Sequence, residues 1–363
     1  MTVSVAATTS TAPIDGDVAA APMRPTSAEP TGAPPITVSV VVCAYTLDRW
    51  DLLAEAVESV ASQGHPARDL VLVIDHNDEL LRRAAARWPE HVVVPNRFAQ
   101  GLSGARNTGV AEATGEVVAF LDDDAAAEPG WLDALAPHFA DPIVGGVGGT
   151  VTPRWLEPAP TWFPDEFLWV VGCSYRGLPE ELAAVRNPIG ANMAFRRSVL
   201  LEAGGFSEDV GRVGAVPIGC EETELSLRTA ALGYVVLYDP AAEVRHAVPK
   251  GRGSLRYFVQ RCQSEGRSKA VVSRMAKQSR ASAAEPGGPG AGSGALATEQ
   301  RYVAKVLPQG VVAGLARAGA IVLGLAVTSL GYAEGRLRRR TTVRPVDAAP
   351  KPIAATGSTG AAA

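Results

Sequence analysis

The run ITVSVVVCAY at residues 36–45 limits the possible folds more than any other stretch of the chain. It is apolar at nearly every position and rich in β-branched side chains. A strand of that composition has to be covered on both faces, as in a sheet held between layers of helices. The next segments repeat the theme. Residues 48–62 carry Leu52, Leu53, Ala56, Val57 and Val60 at helical spacing. DLVLVID reads as a second strand ending in the polar HNDE, with a helix following through Arg87. HVVVPN is a third short strand, GLSGARNTGVAEA a glycine-rich loop running into a helix, and GEVVAFLDDDA a fourth strand ending in three aspartates. Strands alternating with helices predict an α/β fold, with a mostly parallel sheet flanked by helices and right-handed crossovers. The acidic groups after Ile74 and Leu121 then lie beyond the carboxyl ends of strands, where open sheets of this kind bind ligands.

The second half is more mixed. Between Trp155 and Trp169, aromatic residues alternate with proline and acidic residues, a pattern expected of loops over a cleft. GANMAFRRSVLLEAGGF reads as strand, helix and turn, and EETELSLRTAALGY as a helix stopped by Gly233 before the strand YVVLYDP. Residues 1–35 hold too few large apolar side chains to offset the entropy of ordering, and lack the basic start of a secretory signal, so a disordered tail is expected. A flexible Gly/Ala/Ser/Pro linker is expected over 271–300, an apolar and then basic segment over 301–340, and a second disordered tail over 341–363. The four cysteines, Cys43, Cys173, Cys220 and Cys262, are widely separated with no CxxC pair. That usage suits a reducing compartment and argues against a disulfide scaffold or a structural zinc site. A net charge of −4 offers no general attraction for nucleic acid. The absence of GxxxxGK[ST] and of a strand-linked GxGxxG counts against a nucleotide hydrolase or a dinucleotide dehydrogenase.

The sharpest chemical signal is Asp122-Asp123-Asp124. Adjacent carboxylates repel one another and a divalent cation neutralises them, the alternative being a solvated acidic turn. Glu221 and Glu222 open a predicted helix, either as general-base chemistry or as acids favoured in a first turn. His246 offers an imidazole ligand suited to Mn2+, or is a polar surface residue. Arg106 stands where the glycine-rich loop enters its helix, a place that favours a bound phosphate, or else it forms a surface ion pair.

Taken in order, several pieces form a set. VSVVVCAY with the loop 46–50, the strand end Val73-Ile74-Asp75, GLSGARNTG at 101–109, the LDDDA strand end, GANMAFRR at 190–197, GGF at 204–206, EETEL at 221–225 and His246 resemble the non-processive, bacterial-type family 2 glycosyltransferases over residues 36–270. The resemblance implies a GT-A fold, Rossmann-like, with a nucleotide-binding half at 36–125 and an acceptor half at 126–270. It implies that Ala44, Tyr45, Asp75, Arg106, Asp122 and Asp123 surround the nucleotide, and that Asp122, Asp124 and His246 hold a divalent cation, Mn2+ or Mg2+. It implies a donor-sugar and acceptor pocket with Asn192, Trp162 and Trp169, and Glu222 as base beside Glu221. The family usually has Glu-Asp at the last pair, so the base here is one methylene longer. The processive QxxRW signature is absent, since Gln260-Arg261 leads into Cys262, and one sugar per binding event is expected. The implied reaction is inverting transfer of a single sugar from a nucleotide-diphosphate sugar to a hydroxyl of a glycan or polyprenyl-linked acceptor. The alternative is a non-catalytic nucleotide-sugar binder of the same fold. A phosphatase or nucleotidyltransferase would leave GANMAFRR and EETEL without a use.

Residues 311–333 are apolar, interrupted by Arg317 and followed by RLRRR. Such a helix is long enough for a bilayer core of about 30 Å. A crossing from a cytoplasmic domain would put Arg336, Arg338, Arg339 and Arg340 outside, against the positive-inside tendency. A peripheral or re-entrant helix keeps them on anionic headgroups, with Arg317 snorkelling. The expected location is therefore the cytoplasmic face of the cell membrane, the alternative being a soluble helix packed on the domain.

Overall fold

The computed structural model describes residues 35–208, 219–282 and 314–337. Almost all of the expected N-terminal tail, the larger part of the expected linker, the C-terminal tail and Arg338, Arg339 and Arg340 lie outside the described residues.

Strand β1 (Val38–Ala44) lies between β2 (Asp69–Ile74) and β4 (Val117–Asp122), parallel to both, and β3 (Val92–Pro95) runs parallel to β2 at the edge. The alternation of side chains explains the unbroken apolar run. Val38, Val40 and Val42 face the core that holds Leu53, Ala56, Val57 and Val60 of helix α1 (Trp50–Ala61). Val41 points the other way, into a core with Ala105 and Val110 of helix α3 (Leu102–Glu112). Both faces are thus buried, as a parallel central strand requires. Helix α2 (Asp78–Arg87) connects β2 to β3, with Asn77 Oδ1 accepting from the Leu80 amide at 3.0 Å as its N-cap.

Helix α3 starts earlier than the sequence suggests. Arg106 sits in its second turn rather than at its entrance, so GLSGARNTG is mostly helix and not loop. Small residues let α3 lie close on the sheet: a Cβ at Gly109 would sit 2.3 Å from Val41 Cγ1.

Beyond β4 the sheet changes character. Strand β8 (Asn192–Arg196) is inserted antiparallel between β4 and β6 (Val144–Trp155), and β6 runs parallel to the long β9 (Val235–Val248). Short β5 (Ala125–Ala127) closes the edge antiparallel to β9, and β7 (Ala183–Ala184) also pairs with β9. The order is β3-β2-β1-β4-β8-β6-β9-β5. Helices α4 (Trp131–Leu135), α5 (Arg197–Glu202) and α6 (Glu221–Ala231) occupy the connections.

Helix α7 (Leu255–Ser282) continues through the first part of the segment expected to be a linker. Residues 271–282 are rich in Lys, Arg, Ala, Met and Gln, which favour helix, and the composition turns to Gly and Pro only afterwards. Helix α8 (Leu315–Leu337) is long and apolar enough to cross a membrane by length and composition. It is nevertheless packed on the protein along one face, burying Ala318, Ile321, Gly324, Thr328, Gly331 and Gly335. The spacing of three, four and seven residues is that of one helical stripe. Val322, Leu323, Leu330 and Leu337 stay exposed on the rest of its surface. The Arg317 guanidinium donates to the Thr161 carbonyl at 3.2 Å. Gln263 and Arg267 of α7 donate to Glu334 Oε2 of α8 at 3.2 and 2.7 Å.

The α7–α8 contact is close enough to exclude side chains. A Cβ at Gly331 would lie 2.2 Å from the Gln263 carbonyl oxygen. Gly331→Leu is therefore expected to detach α8 while the sheet stays folded. Limited proteolysis should release a fragment containing 314–337 faster than from the parent, with far-UV circular dichroism retained in the rest of the domain.

Candidate active site

Strand β4 delivers Asp122 at its carboxyl end, and the chain turns through Asp123 and Asp124 directly into β5. Register then decides what faces these carboxylates. Strand β5 pairs Ala125 with His246 of β9, and the Ala247 amide donates to the Asp124 carbonyl at 2.7 Å. His246 is thereby held with Nε2 at 3.0 Å from Asp124 Oδ1. Ligand atoms of Asp122, Asp124 and His246 all lie within 4.8 Å of one another.

Two arginines complete this cluster, and neither was singled out by motif. Arg252, in the turn after β9, places Nη2 at 3.0 Å from Asp124 Oδ2. Arg49, in the turn before α1, places Nη1 at 2.7 Å from Asp123 Oδ1 and 3.2 Å from Asp124 Oδ2. Burial alone would raise the Asp124 carboxyl. His246, Arg252 and Arg49 outweigh it and hold Asp124 well below the usual carboxylate range. Burial lowers the His246 imidazole, but Asp124 outweighs burial and pushes it up to about 10. Asp123 is raised to about 7 by burial and by Asp124, with Arg49 opposing. Without an ion, positive side chains supply the charge that these carboxylates need.

The donor set fits a divalent cation. Two carboxylates and one imidazole suit Mn2+ and also admit Mg2+ through the oxygens. Asp123 Oδ2 is buried with no hydrogen-bond partner among the described residues, unused acceptor capacity at the same turn.

Arg106 links this cluster to the second acidic pair. Its buried guanidinium donates to Glu221 Oε1 at 3.0 Å, to Asp122 Oδ1 at 3.3 Å and to the Gly190 carbonyl at 2.9 Å. Glu221 and Glu222 open α6 immediately after Cys220, whose φ of 78° is a left-handed conformation unusual for a residue with a side chain. Glu222 is pushed up to about 8 by burial and by the neighbouring Glu221. Arg106, Asp122, Glu221, Glu222, His246 and Arg252 all line a cavity of about 650 Å3. Trp169 lines it too.

Other expected residues are placed differently. Ala44, Tyr45 and Asp75 stand at the carboxyl ends of β1 and β2, outside this cavity's lining. Asp75 accepts from Asn96 Nδ2 at 2.7 Å and from the Gly101 amide at 2.9 Å, pinning β2 to the start of α3. Tyr45 is exposed, with the Arg49 guanidinium 5.4 Å from its ring centroid. Asn192 does not line the cavity. It is fully buried, its Oδ1 accepting from Trp131 Nε1 at 2.8 Å and its Nδ2 donating to the Thr150 and Ala242 carbonyls at 2.9 and 2.8 Å. Trp162 also lies outside the lining, because its ring packs on Phe163 and Phe258.

A profile described as Glycosyl transferase family 2 matches residues 39–204. A glucosyl-dolichyl phosphate glucuronosyltransferase from Haloferax volcanii is 38% identical over 240 residues, covering 65% of this chain and 77% of the relative. The chain belongs to glycosyltransferase family 2. The succinoglycan biosynthesis protein ExoM from Rhizobium meliloti is 27% identical over 233 residues, covering 62% of this chain and 71% of ExoM. A mannosyltransferase from Pyrobaculum calidifontis, solved with GDP-Man and Mn2+, superposes with a TM-score of 0.52 at 22% identity, covering 85% of this chain and 91% of that one. This family 2 glycosyltransferase therefore has the GT-A fold, and the cavity at the acidic strand end is its candidate active site.

Two measurements follow from the geometry. Asp124→Ala is expected to abolish Mn2+ binding in isothermal titration calorimetry, while His246→Ala, removing one ligand of several, weakens it less. Asn192→Ala strands three buried partners and is expected to cost about 2–3 kcal/mol in urea unfolding, with little effect on Mn2+ binding.

Proposed function

We propose that this glycosyltransferase catalyses inverting transfer of one sugar from a nucleotide-diphosphate sugar to a hydroxyl of a lipid-linked saccharide. The observation that carries the reading is the single cavity shared by the Asp122–His246 group and Glu222. It allows a leaving diphosphate and an acceptor hydroxyl to meet at one anomeric carbon.

The base and ribose of the donor are assigned to the carboxyl ends of β1 and β2, where Tyr45 presents an exposed ring and Asp75 retains lone pairs. Asp123, held by Arg49, flanks the same region. Asp122, Asp124 and His246 would hold the divalent cation, which when bound neutralises charge on the leaving diphosphate. Arg106 acts as a positioning residue, holding Asp122 and Glu221 at a fixed separation through its two-sided ion pair. Trp169 supplies an apolar face within the cavity.

Glu222 is assigned as the base. Its carboxylate takes the acceptor hydroxyl proton as the acceptor oxygen bonds to the anomeric carbon from the face opposite the leaving group. The bond from that carbon to the diphosphate oxygen breaks, and its electron pair departs with the nucleoside diphosphate. A base whose pKa lies near the working pH is effective because its conjugate acid does not return the proton too readily. Burial beside Glu221 places Glu222 in that range.

The Haloferax volcanii relative is, by its name, a transferase acting with a glucosyl-dolichyl phosphate. That supports an acceptor in which a sugar is joined through phosphate to a polyprenol. The need for a base supports it further, since a sugar hydroxyl requires proton removal and an ionised phosphate does not. We assign the protein to the cytoplasmic face of the membrane, with α8 lying in the interface. One face of α8 is already covered by protein, and its apolar outward side chains are available to lipid.

Glu222→Gln is expected to lower transfer by roughly 10²- to 10⁴-fold with donor affinity retained. In the parent, Glu222 acts deprotonated and its pKa is raised, so kcat/KM should climb with pH and level off only above about 8. A pH–rate profile with no limb in that region, or near-normal transfer by the Gln variant, would remove Glu222 from catalysis.

A further inference from the structure

Beside the proposed cation site stands a thiol that neither the donor chemistry nor the proposed base uses. Cys173 is fully buried, lines the cavity together with His246, and places Sγ 3.7 Å from His246 Nδ1. Local structure explains why the sulfur is there. A short 3₁₀ helix over Asp165–Val171 ends at Gly172, whose φ of 83° takes the chain through the left-handed region that favours glycine. The Gly172 amide donates to the Trp169 carbonyl at 3.0 Å, and the Cys173 amide to the Leu168 carbonyl at 3.1 Å. Ser174 then fastens the turn to β6. Its amide donates to the Val151 carbonyl at 2.8 Å, and its Oγ accepts from the Val151 amide at 2.9 Å. Two residues further along β6, Pro153 is paired with His246 itself. The turn that carries the thiol and the strand that carries the imidazole are thus fixed to the same neighbour.

We propose that Cys173 is the positioning residue for the His246 imidazole, accepting a hydrogen bond from Nδ1 so that Nε2 is presented to the divalent cation. The proposal rests on the cation reading of Asp122, Asp124 and His246 given above. A neutral imidazole has one nitrogen with a free lone pair, and Nε2 is the one that faces Asp124 Oδ1, at 3.0 Å. With Nε2 as ligand the ring proton is on Nδ1, and a buried N–H needs an acceptor. Ligating histidines meet this need with a carboxylate, a carbonyl or a water, which fixes the tautomer and the ring orientation. Here sulfur stands in that place. The thiol proton has its own acceptor in the Val171 carbonyl, 3.8 Å from Sγ, so the sulfur lone pairs are left for Nδ1–H. Register holds the His246 backbone between β5 and β6 but not the rotation of its ring. A ring flip would put a carbon where Nδ1 stands, and the contact with sulfur would be lost.

Mn2+ binding by the full chain, measured by isothermal titration calorimetry, tests this without donor or acceptor. A thiol is a weak acceptor, so the effect belongs at the lower end of the range for such partners. Cys173→Val fills the space without an acceptor and is expected to weaken Mn2+ binding about tenfold, whereas Cys173→Ser keeps an acceptor and stays within about threefold of the parent. A packing role would give the reverse order, with Val close to the parent and Ser the worse replacement. Urea midpoints report on folding separately, and Cys173→Ala takes the place of the Val variant if that one does not fold. The double variant with His246→Ala closes the cycle: a residue that acts through the ring adds no further loss once the ring is gone. A second full loss in the double variant, Mn2+ affinity unchanged by Cys173→Val, or equal losses with Val and Ser would each overturn the proposal. If His246→Ala weakens Mn2+ binding and Cys173→Val does not, Cys173 alone is removed and the cation reading stands. If His246→Ala leaves Mn2+ affinity unaltered, the cation reading of His246 fails and the proposal fails with it.

Discussion

The buried guanidinium of Arg106 holds the candidate active site together. A cation removed from water is costly unless its partners are well placed, and here it has three: Asp122 on β4, Glu221 on α6 and the Gly190 carbonyl before β8. Those partners come from distant parts of the chain, so the ion pairs fix the spacing between the acidic strand end and the acidic helix start. Phe120 and Phe206 flank the guanidinium, with ring centroids 5.9 and 5.4 Å from its central carbon, and restrict it further. Loss of Arg106 would leave two carboxylates near each other with no intervening charge, so its role is structural and electrostatic at once.

A second balance is struck around Asp124. His246, Arg252 and Arg49 converge on a carboxylate that burial would otherwise protonate. The same group of oxygens and nitrogen is where a divalent cation fits. Binding an ion there must compete with these side chains, since each positive charge nearby opposes another. Arg49 has an alternative partner in Asp123 and stands over Tyr45, so it would keep a partner if an ion took up Asp124. His246 must give up its proton to become a ligand, which links metal affinity to protonation in the usual way for imidazole sites.

The arrangement of α7 and α8 joins two tasks that the sequence keeps apart. An apolar helix following a polar linker suggests an appended anchor. In three dimensions close packing at Gly331 brings that helix against α7, and the pair closes one side of the cavity. Under the proposed function, membrane contact and acceptor access would become one geometric problem, since the helix with the exposed apolar side chains also lines the cavity.

Much of the fold was legible in the chain itself. The unbroken apolar run of β1 required two covering layers, and the β–α alternation determined the parallel half of the sheet. Asp122, Asp124, His246 and Glu222 could be marked because their residue types recur in a fixed order. Local pattern was weaker where several small residues met. Residues 101–109 have glycines that read as loop, yet those glycines let a helix lie against Val41. Asn192 and Trp162 were expected in the pocket from the resemblance, but they lie outside the cavity's lining: one serves as a hydrogen-bond hub and the other packs in an aromatic cluster. Arg49 and Arg252 were not singled out by any motif. Their partners lie far away in sequence, and only strand register and helix packing brought them into contact. The sequence thus determined which secondary structures form and which chemical groups are available. Tertiary structure decided which of those groups face one another, because Coulomb and hydrogen-bond interactions act over a few ångströms of space, whatever the separation along the chain.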